Sequence, residues 1–271
     1  MDLLHWILFG VLPALASVLL FVGIGGARML APAIAVAMCV PFGMDAGWPD
    51  WPWHLSVSRS DPVAWFWWAL AFAGVVGAAY DTKALPRTVL GCFEVALVVF
   101  VPWALSGSLR ARWSFEWCVV MLGLAWTILV AIWWGLRTSS RLQPGMAVPL
   151  AGTVVFVADA ILLHARGDLL GWRLAGVAAV ASGVSVATTL WRRPFVCGTG
   201  ASLCITIAHA GVLWFRRSEG ELTRLPFVLA LLAPLGMWIA TTKAFADGRT
   251  TGMAIGVLAT AGLATTAIGL A

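Results

Sequence analysis

The sequence predicts an all-α integral membrane protein of about ten transmembrane helices, built as one membrane domain (1–271) from two inverted five-helix repeats. Three observations lead there. Of the 271 residues, 61% are hydrophobic and 11% charged, against roughly a quarter charged in an average soluble domain, and the mean hydropathy is +0.94. Ten apolar runs approach the ~20 residues that a helix needs to cross a bilayer core about 30 Å thick. Fragments of the first half recur, in order, in the second.

Each run has its own punctuation. Residues 3–25 follow Asp2, an acid where a signal peptide would carry positive charge, and the run is too long for an ordinary signal core, so it is read as a retained first helix. Residues 28–44 are the shortest run and carry Pro32 and Pro41, which a re-entrant or broken helix would also fit. Residues 63–80 open on Trp65, Trp67 and Trp68 and close on Tyr80, the only tyrosine. Residues 85–105 begin after Asp81-Thr82-Lys83 and contain Glu94; residues 115–136 follow Arg110 and Arg112 and stop before Arg137. Residues 146–164 follow Pro144 and contain Asp159, and His164, Arg166 and Asp168 make a polar turn into 172–190. Arg192-Arg193-Pro194 then separates 197–215, which holds His209, and Arg216 to Arg224 precede 225–243 and the Ala/Gly/Thr-rich 251–270. Helix is the state assigned to all of them, because an unclosed strand leaves backbone groups unpaired in lipid.

The charges exclude several classes. The net charge is +5, but the 17 Lys and Arg are scattered between apolar runs rather than gathered in a stripe, so nucleic acid is not the expected partner. They read as interfacial anchors, and with ten spans they divide eight to nine between the two faces, which leaves orientation open. The five cysteines lack C-x-x-C spacing and read as buried thiols, with neither a disulfide framework nor a metal site. No cofactor is expected: Lys83 and Lys243 stand toward span ends, where a retinal Schiff base is not placed, and His5, His54 and His164 lie too near the boundaries to pair with His209 on a haem. Ser202 and His209 share one helix about 10 Å apart in rise, too far for a nucleophile and its base.

Near-balance of charge is what inverted halves produce. Leu12-Pro13-Ala14-Leu15 is matched by Val148-Pro149-Leu150-Ala151, Arg28-Met29-Leu30-Ala31 by Arg173-Leu174-Ala175, and Ala71-Phe72-Ala73-Gly74-Val75 by Ala208-His209-Ala210-Gly211-Val212. Leu85-Pro86 is matched by Leu225-Pro226, and Gly123-Leu124-Ala125 by Gly262-Leu263-Ala264. The offsets, 136 to 145 residues, stay close to half the chain and divide it into 1–143 and 144–271. Five spans per unit, an odd number, put the second copy into the membrane from the opposite side, as in many secondary transporters. In layout the whole chain resembles the drug/metabolite transporter superfamily: ten spans in under 300 residues, short loops and a five-plus-five inverted repeat. The resemblance implies transport. It carries no residue motif, and the long loop after the second span departs from that family's compact connections.

Ionisable groups away from span ends are the candidate site, because each costs at least a few kcal/mol in lipid unless it faces protein or water. Glu94 in LGCFEVALVV, Asp159 in VVFVADAILL and His209 in CITIAHAGVL qualify. If their helices enter from one face, Asp159 and His209 lie at similar depth, roughly 20 and 18 Å in, and Glu94 stands apart at roughly 12 Å. As neighbours the first two would form a carboxylate–imidazole pair able to bind and release a proton. The competing expectation is structural: each group satisfied locally between helices. Asp81 and Lys83 read either as a headgroup or gate site or as a solvated local ion pair, and Tyr80 as an interfacial anchor. In the Trp-rich stretch 47–68, Trp65, Trp67 and Trp68 belong to the aromatic belt. Trp48, Trp51 and Trp53 alternate with Pro49 and Pro52 beside Asp50 and His54, an acidic loop suited to lying on headgroups, capping a cavity or docking a partner.

Three functions are expected in this order: a secondary transporter of a small or lipid-derived solute with proton coupling; a non-catalytic subunit of a larger membrane complex; and a lipid-modifying enzyme working at the Asp81 to Arg87 end. The expected partners are the bilayer and a homo-oligomer or larger complex, and the expected location is a bacterial cytoplasmic membrane.

Overall fold

The structure, a computed structural model, describes residues 6–46, 48–49, 62–110, 113–142, 145–191, 199–218, 224–239, 241–242 and 249–270. Among them helix covers every apolar run, and no strand occurs. The elements are α1 (Leu12–Gly25, entered through a π-turn at Ile7–Val11), α2 (Leu30–Ala46), α3 (Pro62–Thr82), α4 (Arg87–Leu105), α5 (Phe115–Leu142), α6 (Ala147–Ala165), α7 (Leu169–Trp191), α8 (Thr199–Ser218), α9 (Arg224–Leu232) and α10 (Arg249–Gly269).

Among the described residues six helices are long and apolar enough to cross a membrane: Ile7–Gly25, Arg87–Leu105, Phe115–Leu142, Ala147–Ala165, Leu169–Thr188 and Thr250–Gly269. Leu30–Met44, Thr199–Trp214 and Leu225–Ile239 are shorter apolar helices. The outer surfaces carry large apolar side chains, with Ile24 80% and Phe115 82% exposed. Such faces are stable against lipid and not against water, so the chain is an all-helical integral membrane protein.

Three elements decide or correct the sequence reading. The run 28–44 is one helix with Pro41 inside it rather than a broken one. The run 225–243 is interrupted: α9 ends at Leu232, a 3₁₀ turn takes Ala233–Leu235, and helix resumes only over Gly236–Ile239. Pro234 has no N–H to give, and Gly236 stands so close to the Ala259 and Thr260 backbone of α10 that a Cβ there would collide. Third, α5 runs to Leu142, beyond the expected end at 136, so Arg137 and Arg141 sit on a helix and not in a loop.

The centre of the bundle is α8. Its residues 200–214 are all buried, and it packs against α2, α3, α4, α5, α6, α7 and α9. It runs antiparallel to α3, Gly200 lying against Gly77 at one end and Gly211 under the Phe66 ring at the other. Small residues let these backbones meet, the usual basis of helix association in lipid. On its other side α3 seats Gly74 and Gly77 against Ala35 and Ala31 of α2. Trp67 on α3 donates its indole N–H to the Cys39 carbonyl of α2 at 3.0 Å, so this tryptophan staples two helices.

Candidate functional site

Glu94 is fully buried on α4 and is not isolated as the sequence implied. Arg137 Nη1 donates to its Oε2 at 2.8 Å, and Arg137 Nη2 donates to the Tyr80 hydroxyl oxygen at 2.7 Å. Arg141, one turn further along α5, donates to the same oxygen at 3.2 Å. The Arg137 guanidinium also lies over the rings of Tyr80 and Trp133, 5.1 and 5.0 Å from their centroids. Tyr80 is therefore the acceptor at the centre of a two-arginine cluster rather than a plain interfacial anchor. The spacing Trp133, Arg137, Arg141 places all three on one face of α5. The buried acid pays part of the cost of carrying a guanidinium into the bundle, which is why α5 continues past its apolar run.

Asp81, one residue beyond the apolar run that ends at Tyr80, does not pair with Lys83 as the local ion-pair reading expected. Its Oδ1 accepts the Gly200 N–H at 3.1 Å, at the first turn of α8, where negative charge is favoured. Burial pushes the Asp81 carboxyl up to about 7; the Gly200 hydrogen bond opposes the shift and the charge of Glu94 adds to it. Lys83 holds the chain reversal at φ 56, and among the described residues neither Lys83 nor Arg87 makes an ion pair.

These groups surround a cavity of about 650 Å³, open on one face of the protein and lined by Tyr80, Asp81, Lys83, Arg87, Leu90, Ser140, Arg141 and Thr199, with Leu85 and Pro86 at its edge. Lys83, Arg87 and Arg141 give it a positive rim, and Arg137 with Glu94 lies beside it. Helix ends converge here: the ends of α3 and α5 and the starts of α4 and α8.

Asp159 on α6 and His209 on α8 do meet. His209 Nδ1 and Asp159 Oδ2 are hydrogen-bonded at 2.6 Å, with side-chain exposures of 0% and 2%, and Phe156 stands edge-on to the imidazole. Among the described residues His209 Nε2 has no hydrogen-bond partner. Glu94 is not part of this pair: its carboxylate bonds to Arg137, so the three buried groups form two clusters and not one trio. The clusters are linked by α8 itself. Thr199, Ser202, Thr206 and His209 recur at intervals of three and four, a single helix face, leading from the cavity lining about 15 Å inward to the pair. Ser202 and Thr206 are fully buried. Thr206 Oγ1 donates to the Ser202 carbonyl at 2.8 Å, and Ser202 Oγ has no partner among the described residues.

Elsewhere the polar turn behaves as expected, Asp168 Oδ1 accepting the Gly171 N–H at 2.8 Å to cap α7. Of the Trp-rich loop, Trp48 packs its ring on Gly43 and meets Trp67 edge-on, 6.0 Å between centroids; Asp50, Trp51, Trp53 and His54 lie outside the described residues. Among the described residues no group of three His, Cys, Asp or Glu is placed to hold a metal.

The sequence reading missed Arg137, Arg141 and the Ser202–Thr206 stripe. A fully apolar-flanked Glu94 signalled that some cation had to reach it, and the i, i+4, i+8 order of Trp133, Arg137 and Arg141 was the pattern that named which. No protein-family model matches the chain, and the search of curated proteins returns no relative.

Proposed function

We propose that this protein is a secondary transporter of a small or lipid-derived anionic solute, coupled to protons, in a bacterial cytoplasmic membrane. The observation that carries the reading is the one-sided cationic cavity joined by the polar face of α8 to the buried Asp159–His209 pair. In this reading the cavity is the entrance of one access state. Arg137, held by Glu94 and Tyr80, closes its inner side, and the Asp–His pair takes up and releases the coupling proton. All ten apolar runs cross, the ninth as α9 together with the turn and short helix that follow it, and the two halves act as inverted units that rock about α3 and α8. The two halves meet where α3 packs antiparallel on α8 and where α2 packs on α7.

A second reading is favoured by the sealing of the pair. Two ionisable side chains with almost no exposure suit a static bundle, in which Asp159–His209 fixes the packing of α6 on α8 and the chain is a non-catalytic subunit. The lipid-modifying enzyme gains a cleft at one interface, but several of its oxygens are engaged by the protein: Ser140 Oγ donates to the Arg137 carbonyl, Asp81 Oδ1 accepts from Gly200 and the Tyr80 oxygen accepts from two guanidiniums, which leaves Asp81 Oδ2 without a partner among the described residues.

The test is uptake into proteoliposomes under an imposed pH gradient, over a panel of anionic solutes and lipid phosphates. The transporter reading expects flux in the wild type, a loss of at least tenfold in Glu94→Gln, and flux that no longer responds to the gradient in Asp159→Asn. Flux equal to empty liposomes for every compound puts the subunit ahead.

A further inference from the structure

A second cavity lies one turn further along α4 from the cationic one. This second cavity, about 420 Å³, lies between α3 and α4 and is lined by Trp65, Phe72, Phe93 and Phe100, with Ala69 and Ala96 at its floor and rim. Phe72 and Phe93, 49% and 40% exposed, face the lipid and meet edge-on, 6.1 Å between centroids; Trp65 and Phe100 close the far end at 5.2 Å. Leu90 lines the first cavity and Phe93 the second. Three residues apart, they share a face of α4. From Arg87 to Phe100 the seam extends about 20 Å, two-thirds of a bilayer core about 30 Å thick.

Either half alone is ambiguous. An apolar groove on a membrane protein is ordinary lipid-facing surface, and a cationic pocket holds many anions. Following one another along α4, they match one kind of molecule, an amphiphile whose anionic head stays at the interface while its chain lies along the helix seam. Two guanidiniums and an ammonium around the head position suit a phosphate, whose several oxygens accept from planar N–H forks.

We propose that the α3–α4 seam binds an anionic lipid with a phosphomonoester headgroup, its headgroup among Lys83, Arg87 and Arg141 and its chain along Phe72 and Phe93 toward Trp65 and Phe100. This names the substrate class of the proposed entrance and rests on that reading of the cavity.

The test measures binding without flux. The full-length protein in phosphatidylcholine nanodiscs is titrated with phosphatidate, and retained lipid is counted by native mass spectrometry, with inorganic phosphate as competitor. Phosphatidate is expected to bind at least tenfold more tightly than phosphatidylcholine. Arg87→Gln combined with Arg141→Gln should remove that preference. Ala96→Trp fills the groove from an exposed position; it should weaken phosphatidate at least tenfold while leaving thermal unfolding unchanged. Equal affinity for the two lipids overturns the proposal. So does wild-type affinity in Ala96→Trp together with displacement by millimolar inorganic phosphate, which assigns the pocket to a soluble phosphate. Phosphatidate binding that persists without any uptake removes the transport reading and leaves this one standing; uptake of another solute without lipid preference does the reverse.

Discussion

A fully buried carboxylate on an apolar helix must be neutralised by something, and Glu94 has Arg137 at 2.8 Å. Removing one member of such a pair strands the other, at about 3–5 kcal/mol, whereas replacing both with apolar groups of similar size is often neutral. Glu94→Leu and Arg137→Met should therefore each lower the midpoint of thermal unfolding in detergent, and the double variant should recover most of the loss; additive losses would mean that the two side chains do not act as a pair. Asp81 gives a pH signature. Because its carboxyl titrates higher in the fold than in the unfolded chain, the folded state binds the extra proton, so the stability it contributes is full below about 4 and disappears as pH rises through about 7. Asp81→Asn, whose amide oxygen still accepts from Gly200, should match the wild type at pH 4 and unfold at higher temperature than it at pH 8. A constant difference at both pH values would place the effect elsewhere. At this scale the sequence marked Glu94, Asp159 and His209 because a charge in an apolar run is conspicuous. It hid Arg137, since hydropathy ends a helix at the first guanidinium whether or not an acid 43 residues away is waiting for it.

Among the elements, the α3–α8 crossing is where the two halves of the chain come closest. A Cβ on Gly200 would run into the backbone of Gly77, which cannot swing aside as a side chain can. Gly200→Ala should cost about 1–3 kcal/mol as an overpacked contact, read as a lower unfolding midpoint. Gly123→Ala and Gly262→Ala, where an added methyl meets open space, should be neutral or slightly stabilising, as alanine is the better helix former. If all three behave alike, the crossing is looser than described. Helix positions were legible from hydropathy to within a few residues for most runs. The exceptions have physical causes: Glu94 carries α5 past its apolar stretch, and Pro234 with the close approach of Gly236 interrupts the ninth run, neither of which an average over a window registers.

For the whole molecule, composition settled the membrane class, because such a chain has no way to cover its apolar faces in water. The pairing of helices was less legible. Depth counting placed Asp159 and His209 level, and they meet, but it could not say that Glu94 would turn to α5 instead. The central claim is that the cavity is one end of a path that opens alternately to the two sides. Thr206, sealed on α8 between the cavity and His209, reports this directly. In a Thr206→Cys variant lacking the five native cysteines, reconstituted in sealed vesicles and exposed to a membrane-impermeant maleimide from each side, alternating access predicts labelling from both sides. The transported anion should shift the ratio between them. Absence of labelling from either side, with and without the anion, while a Thr199→Cys control labels from the cavity side, would contradict it and leave a static membrane subunit.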